Sequence, residues 1–260
     1  MNLARQIPGK EEFHGLVDWF ETMIALRKVD LNLNTHVAAA DLQRFDEVIV
    51  ATGVSPRPLD LPGADMPHVV SYIDILTGQV TAGERVAIIG AGGIGFDVAE
   101  YLMHAPRAAA QDLEDWREEW GVVPPDEARG GLASVGPLPK PSVRQITLLQ
   151  RKTTRLGKGL GKTTGWIHRS HLQAKGVTMV AGAQYDKIDA QGLHTIVGGA
   201  PRLVAADTIV VCAGQDPARD LATALKTLGV TPHVIGGADV AAELDAKRAI
   251  DQGTRLAAAL

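Results

Sequence analysis

A strand that runs into a glycine-rich turn and then a helix places the strongest constraint on this fold. The apolar run 86–89 feeds into Gly90-Ala91-Gly92-Gly93-Ile94-Gly95, a G-x-G-x-x-G pattern, and residues 94–103 continue with helical spacing. Gly90 permits the tight turn, Gly92 lets a pyrophosphate approach the backbone, and Gly95 lets the helix pack on the strand. The pattern predicts a Rossmann unit whose helix N-terminus binds a dinucleotide. A glycine-rich turn without a ligand is the alternative.

The end of the next strand distinguishes NADH from NADPH. The predicted strand 146–149 ends in Gln150-Arg151-Lys152, with no carboxylate to accept a hydrogen bond from a ribose 2′-hydroxyl. Contacts from arginine to phosphate are strong and often bidentate. We therefore expect NADPH, with Arg151 and Lys152 at its 2′-phosphate. In the alternative interpretation, the two cations are a solvated strand end.

Hydrophobic periodicity predicts an α/β protein around this unit. Helices are expected at residues 11–26, 94–103, 112–120, 164–175 and from just after Asp239 to about 258. Strands are expected at 29–37, 46–51, 85–89, 146–149, 177–180, 208–212 and 234–235, with a β-hairpin at 185–204.

Composition and charge argue against several functions. Cys212 is the only cysteine, so this chain cannot hold a Cys-x-x-Cys dithiol or a cysteine-ligated iron–sulfur cluster. The net charge of -4 and the lack of a basic block disfavour nucleic acid and membrane partners. His168 and His171 have no third ligand nearby in sequence, so no metal site is expected. No catalytic residue is assigned, and a cytoplasmic protein with a dinucleotide as its small-molecule partner is expected.

Two further glycine-containing segments remain open. Asp239 follows Gly236-Gly237-Ala238 and precedes a predicted helix, so it can hold a flavin or simply cap that helix. Residues 157–164 approach a P-loop, but Leu156 stands where its first glycine belongs. Its cations can line a phosphate or a flavin edge, or the segment can be a surface loop.

Several stretches resemble the C-terminal region of the bacterial NADPH-dependent 2,4-dienoyl-CoA reductases, in the old-yellow-enzyme and trimethylamine-dehydrogenase group. The most specific stretch is Gly159-Leu160-Gly161-Lys162-Thr163-Thr164-Gly165-Trp166-Ile167-His168-Arg169. The other matching stretches are residues 2–13, 86–97, 149–152, 235–240 and 243–246. This resemblance implies an NADPH-binding Rossmann domain, residues 67–211, inserted in the remainder of an FAD-binding domain, residues 1–66 and 212–260.

The resemblance also implies an electron route. Hydride passes from NADPH to FAD, and electrons continue to FMN and a dienoyl-CoA in fatty acid β-oxidation. It places Gly53, Gly214, Gly237 and Asp239 where the family's FAD domain touches the flavin. The family's barrel, cysteine cluster and FAD fingerprint have no counterpart in this sequence. FMN, a 4Fe-4S cluster and the unsaturated acyl-CoA are therefore expected only in a full-length enzyme, and FAD is expected to bind this chain weakly or not at all.

The expected function is the NADPH-binding, electron-entry portion of a 2,4-dienoyl-CoA reductase. One alternative is a flavin reductase of the same group that acts on another enone or an amine. The other alternative is a non-catalytic NADPH-binding module.

Overall fold

The computed structural model describes residues 1–104, 113–242 and 246–260. The helices in these residues are α1 (Glu12–Leu26), α2 (Tyr72–Leu76), α3 (Gly93–Met103), α4 (Leu113–Trp120), α5 (Gly165–Ala174), α6 (Asp220–Thr227) and α7 (Ala246–Ala259). The strands are β1 (Ile49–Val50), β2 (Val54–Pro56), β3 (Val69–Ser71), β4 (Arg85–Ile89), β5 (Gln145–Leu149), β6 (Thr178–Val180), β7 (Gln184–Asp189), β8 (Gly192–Val197), β9 (Ala200–Ala205), β10 (Thr208–Val211), β11 (Gln215–Pro217) and β12 (His233–Val234).

The described residues form two compact units. The first contains residues 1–25 and 59–213, and the second contains residues 26–58 and 214–260. In sequence, the first unit thus interrupts the second. These boundaries differ from the predicted 67–211 division, because the structure groups the first 25 residues with the Rossmann sheet. A binding role for either unit stays a prediction.

A parallel five-stranded sheet with the order β3-β10-β4-β5-β6 lies at the centre of the first unit. From β4 the chain adds β5 and β6 on one side, passes through the antiparallel sheet β7-β8-β9, and returns as β10 on the other side of β4. The strand order therefore reverses between β4 and β10. In open α/β sheets, ligands bind at the carboxyl ends of the strands beside such a switch point.

Alternate residues of β4 enter two different cores. Val86 and Ile88 pack with Phe96 and other apolar residues of α3, and Ala87 and Ile89 pack with the cluster that includes the antiparallel sheet. These four strand residues are at most 1% exposed. Burial on both faces explains why β4 is an uninterrupted apolar run rather than an alternating one. The predicted α/β class with a Rossmann-type sheet is confirmed.

The second unit has a small core of its own. Strand β1 pairs in parallel with β12, so that Val50 lies opposite Val234, and β2 pairs with β11 in antiparallel register. Val50 packs with Leu225 of α6 and with Ala238. The carboxyl ends of β1 and β12 consequently face the same edge.

Several predicted elements differ from the structure. Residues 29–37 contain no strand, because in the described chain no neighbouring segment supplies the hydrogen bonds that a strand needs. The hairpin at 185–204 is a three-stranded sheet, whose second turn uses Gly198 and Gly199, both with positive φ. The C-terminal helix begins at Ala246 rather than beside Asp239. Residue 112 of the predicted helix 112–120, and residues 243–245 of the resemblance, lie outside the described residues.

Candidate dinucleotide-binding site

Gly90 holds the turn out of β4 between the ends of two neighbouring strands. Its N–H donates to the carbonyl of Leu149 at 2.9 Å, and its φ of 108° lies where side chains are disfavoured. A Cβ at this position would stand 2.6 Å from the carbonyl oxygen of Cys212. Only glycine therefore fits between the carboxyl ends of β5 and β10.

Gly95 brings α3 close to the same turn. A Cβ on Gly95 would lie 1.9 Å from the carbonyl oxygen of Gly90 and 3.4 Å from the side chain of Leu148. This close packing of helix on strand is the role that the third glycine of the motif is expected to have. It aims the N-terminus of α3 at the switch point between β4 and β10.

Gly92 and Gly93 leave the mouth of the turn open. Gly92 is the N-cap residue of α3, and no side chain caps this helix. A Cβ at either glycine meets no atom within 4 Å, and both residues are exposed. Free N–H groups at a helix N-terminus, beside space for an anion, fit the pyrophosphate of a dinucleotide. Ala91 and Ile94 complete this loop and are half-buried.

Arg151 and Lys152 lie at the carboxyl end of β5, on the same edge as the glycine turn. Both side chains are exposed, and neither has an ion-pair partner among the described residues. Arg151 lies near the half-buried Tyr185, whose pKa burial raises to about 12 while Arg151 opposes that shift. Two unpaired cations here fit a phosphate on the adenosine ribose.

Gln150 braces the segment that carries these cations. Its Nε2 donates to the carbonyl of Lys152 at 3.0 Å and also to that of Thr154. Carbonyls only accept hydrogen bonds, so the amide nitrogen must face them. A carboxylate at this position could not make these bonds. The amide of Gln150 therefore has a structural role at the end of β5 that an acidic residue could not fill. The sequence alone did not reveal this role.

The cation-rich segment after this loop packs on the first turn of α3. Gly157, with φ of 74°, lies against the ring of Phe96, and Lys158 and Lys162 are exposed. Arg169 of α5 was not identified as a candidate from the sequence. Its side chain is buried, and its Nη1 donates to the carbonyl of Leu156 at 3.4 Å. Burial, with the neighbouring Arg155, lowers the pKa of Arg169.

In the second unit, three of the four residues predicted to touch a flavin follow two paired strands. Gly53 follows β1, has φ of 76°, and accepts a hydrogen bond from Ala218 N at 3.0 Å. Gly237 and Asp239 follow β12, the parallel neighbour of β1. The pairing thus brings Gly53 to the same edge as Gly237 and Asp239. Gly214 has φ of 98° and lies under the guanidinium of Arg57.

Asp239 is not the N-cap of the C-terminal helix. It ends the short 3-10 turn Gly236–Ala238, and the residues that directly follow it, 240–242, are not helical. Its Oδ2 accepts a hydrogen bond from Nε2 of Gln252 at 2.9 Å. The capping alternative is therefore wrong, and the half-buried carboxylate is held by a side chain of α7.

The described residues offer neither a metal site nor a reactive thiol. No group of three or more histidine, cysteine or acidic side chains in them is arranged to hold a metal ion. Burial raises the pKa of the Cys212 thiol well above its ordinary value. No described helix has the length and apolar character needed to cross a membrane.

Known proteins resemble this chain over most of its length. The family model for pyridine nucleotide-disulphide oxidoreductases matches residues 14–247. A metal reductase of Desulforamulus reducens is 23% identical over 91% of this chain and 35% of its own length. A cinnamate reductase of Clostridium sporogenes is 38% identical over 36% of this chain and 14% of its own. In structure, a 2-naphthoyl-CoA reductase in complex with 2-naphthoyl-CoA has a TM-score of 0.77 at 20% identity, covering 98% of this chain and 33% of that one.

The chain therefore belongs to the pyridine nucleotide-disulphide oxidoreductase family, whose members are redox domains dependent on a pyridine nucleotide and a flavin. It spans about a third of the metal reductase and of the 2-naphthoyl-CoA reductase. The structural likeness, at 20% identity, establishes the shared fold.

Proposed function

We propose that this chain is the NADPH-binding, electron-entry portion of a flavin-dependent reductase that acts on a conjugated acyl thioester, of which a 2,4-dienoyl-CoA is the specific candidate. The observation that carries the proposal is the shared edge of β4 and β5. There the open glycine turn at Gly92 stands beside two unpaired cations, Arg151 and Lys152.

Each part of this edge has a separate task in the proposal. The turn and the N-terminus of α3 bind the pyrophosphate, and Arg151 with Lys152 binds the 2′-phosphate. NADPH supplies the hydride and a flavin accepts it, so the protein's contribution is binding and orientation. In the second unit, Gly53, Gly214, Gly237 and Asp239 are proposed to touch the flavin. No second G-x-G-x-x-G is present to hold its pyrophosphate, so FAD is expected to bind this chain weakly.

The proposed substrate class rests on the names of two similar proteins and on the stretch 159–169. Cinnamate is a conjugated acid. 2-Naphthoyl-CoA is a conjugated acyl thioester, as is a dienoyl-CoA. FMN, a 4Fe-4S cluster and the acyl-CoA belong, in this proposal, to parts of a longer enzyme. A flavin reductase for another enone or an amine is the alternative within the same group. A non-catalytic NADPH-binding module is the alternative of a different class.

Calorimetry with NADPH and NADH tests the cofactor assignment. We expect NADPH to bind more tightly, and Arg151→Ala to weaken NADPH binding by about 1.5–3 kcal/mol, the value of a charge-assisted hydrogen bond. The same substitution should leave NADH binding almost unchanged. Arg202→Ala is the matched control, because Arg202 is an exposed arginine on β9 of the same unit. Equal affinities for the two cofactors in the wild type would contradict the proposal.

A further inference from the structure

A separate cavity lies among the helices of the first unit. It has a volume of about 690 Å³ and is bounded by the N-terminal segment around Ile7 and by residues of α3, α4 and α5. Neither the glycine turn nor Arg151 and Lys152 line it. Its volume is within the range of about 300–1,000 Å³ that is typical of small-molecule sites. The proposed function assigns no ligand to this cavity.

Most of the tryptophan residues of this protein line the cavity. The chain has only four tryptophans, and Trp116, Trp120 and Trp166 all line this one cavity. Trp166 is 59% exposed and Trp116 is 38% exposed, so neither ring is buried in a core. Trp120 is held edge-on against the ring of His171, with centroids 5.4 Å apart. Rigid aromatic surfaces of this kind bind planar apolar groups and cations.

Carboxylates outnumber ammonium groups around these rings. Lys10 donates to both oxygens of Asp97, at 2.6 and 2.7 Å, so this pair is nearly neutral. Glu12, which is exposed, and Glu100 add two further acidic side chains to the lining. Apart from His168 and His171, the charged groups of the lining therefore have an excess of carboxylate, which attracts a cation and repels a phosphate.

Glu100 is the most buried carboxylate that lines the cavity. Its Oε1 lies 3.2 Å from Nε2 of His104, and its Oε2 lies 3.2 Å from Nδ1 of His171. Burial raises the pKa of Glu100, but the two histidine hydrogen bonds outweigh burial and lower it to about 2. Because histidines occupy both oxygens of Glu100, the carboxylate left to attract a ligand's positive charge is that of the exposed Glu12.

We propose that this cavity binds a small organic ammonium ion with an aromatic body. The aromatic body packs between the tryptophan rings, and the ammonium group faces the carboxylate of Glu12. The cavity shares no lining residue with the proposed dinucleotide site, so the two ligands do not compete for one site.

Tryptophan fluorescence of the whole chain tests the proposal with three probes of similar size that differ in charge: 2-phenylethylammonium, 2-phenylethanol and phenylacetate. We expect saturable quenching by the ammonium ion, at least tenfold weaker binding of the alcohol and no saturable binding of phenylacetate. Trp166→Ala should weaken ammonium binding by about tenfold, in the range of losing one aromatic–aromatic contact and the area that it buries. Because Trp166 is mostly exposed, this variant should fold, which its melting temperature checks.

Two matched variants separate the cavity from non-specific effects. Trp19→Ala removes the fourth tryptophan, which lies on α1 outside the cavity, and should leave the affinity unchanged. Glu12→Gln should weaken ammonium binding severalfold, with less effect at high salt, because an exposed charge is screened. Phenylacetate binding as tight as that of the ammonium ion, or a folded Trp166→Ala variant with wild-type affinity, would overturn the proposal. Calorimetry with NADPH present should give the same ammonium affinity, so the result is independent of the cofactor assignment.

Discussion

Two glycines of the same turn should respond to substitution in opposite ways. In Gly95→Ala, the new Cβ would stand 1.9 Å from the carbonyl oxygen of Gly90. An ordinary contact is about 3.4 Å, so α3 must move by about 1.5 Å relative to β4, and the obstacle is backbone that cannot rotate away. Overpacking costs about 1–3 kcal/mol, and we take the upper end. Alanine regains about 1 kcal/mol of helix propensity, which leaves a net loss of about 2 kcal/mol.

That loss predicts a clear change in thermal unfolding. For a unit of this size, 1 kcal/mol corresponds to about 2–4 °C, so Gly95→Ala should melt about 4–8 °C below the wild type. Gly15→Ala is the matched control, because Gly15 is also in a helix but has no atom within 4 Å of its Cβ position. It should melt at or above the wild-type temperature. The two melting curves, measured by circular dichroism, decide whether packing rather than helix propensity dominates at Gly95.

Gly92→Val should leave the fold intact and abolish NADPH binding. The backbone of Gly92, with φ of -84°, accepts any residue, and its Cβ position is open. Valine is a poorer N-cap than glycine, which costs at most about 1 kcal/mol. Its methyl groups would occupy the space where the pyrophosphate approaches the turn. If Gly92→Val binds NADPH as tightly as the wild type, or if Gly95→Ala melts with the wild type, this account of the turn is wrong.

Two other predictions concern stability and activity. The pKa of Glu100 is lowered to about 2, below its ordinary 4.5, so its ionised form stabilises the fold above pH 4.5 and this contribution disappears as the pH falls toward 2. Glu100→Gln should therefore lose about 3 kcal/mol in urea unfolding at pH 7 and much less at pH 3, whereas the exposed Glu118→Gln should lose little at either pH. The chain with NADPH, FAD and a hexadienoyl-CoA should show no loss of dienoyl absorbance above a no-protein blank, because Cys212 alone cannot hold an iron–sulfur cluster and the sheets of the described residues form no barrel. Turnover above that blank would mean that the chain carries a catalytic site absent from this account.

Local signals were enough to predict the Rossmann turn and the elements beside it. The turn 90–95 is recognisable because its glycines are required by backbone geometry over six consecutive residues. The apolar runs of β4, β5 and β10 are recognisable because parallel strands are buried on both faces. The third strand of the antiparallel sheet escaped prediction, since β9 begins with Ala200 and Pro201 and is mostly exposed. The segment 29–37 has the alternating pattern of a strand, but in the described chain it has no strand partner.

The sequence by itself determined the chemistry available at the carboxyl edge of the sheet: an open glycine turn, and a strand that ends in Gln150-Arg151-Lys152 without a carboxylate. Only the tertiary structure decided which distant groups meet. In the folded chain the Cys212 carbonyl lies against Gly90, and the amide of Gln150 donates to the carbonyl of Lys152. Three tryptophans and Glu100 line one cavity. The physical reason is that backbone conformation depends on neighbouring residues, whereas burial, charge pairing and cavities depend on contacts between residues far apart in the chain.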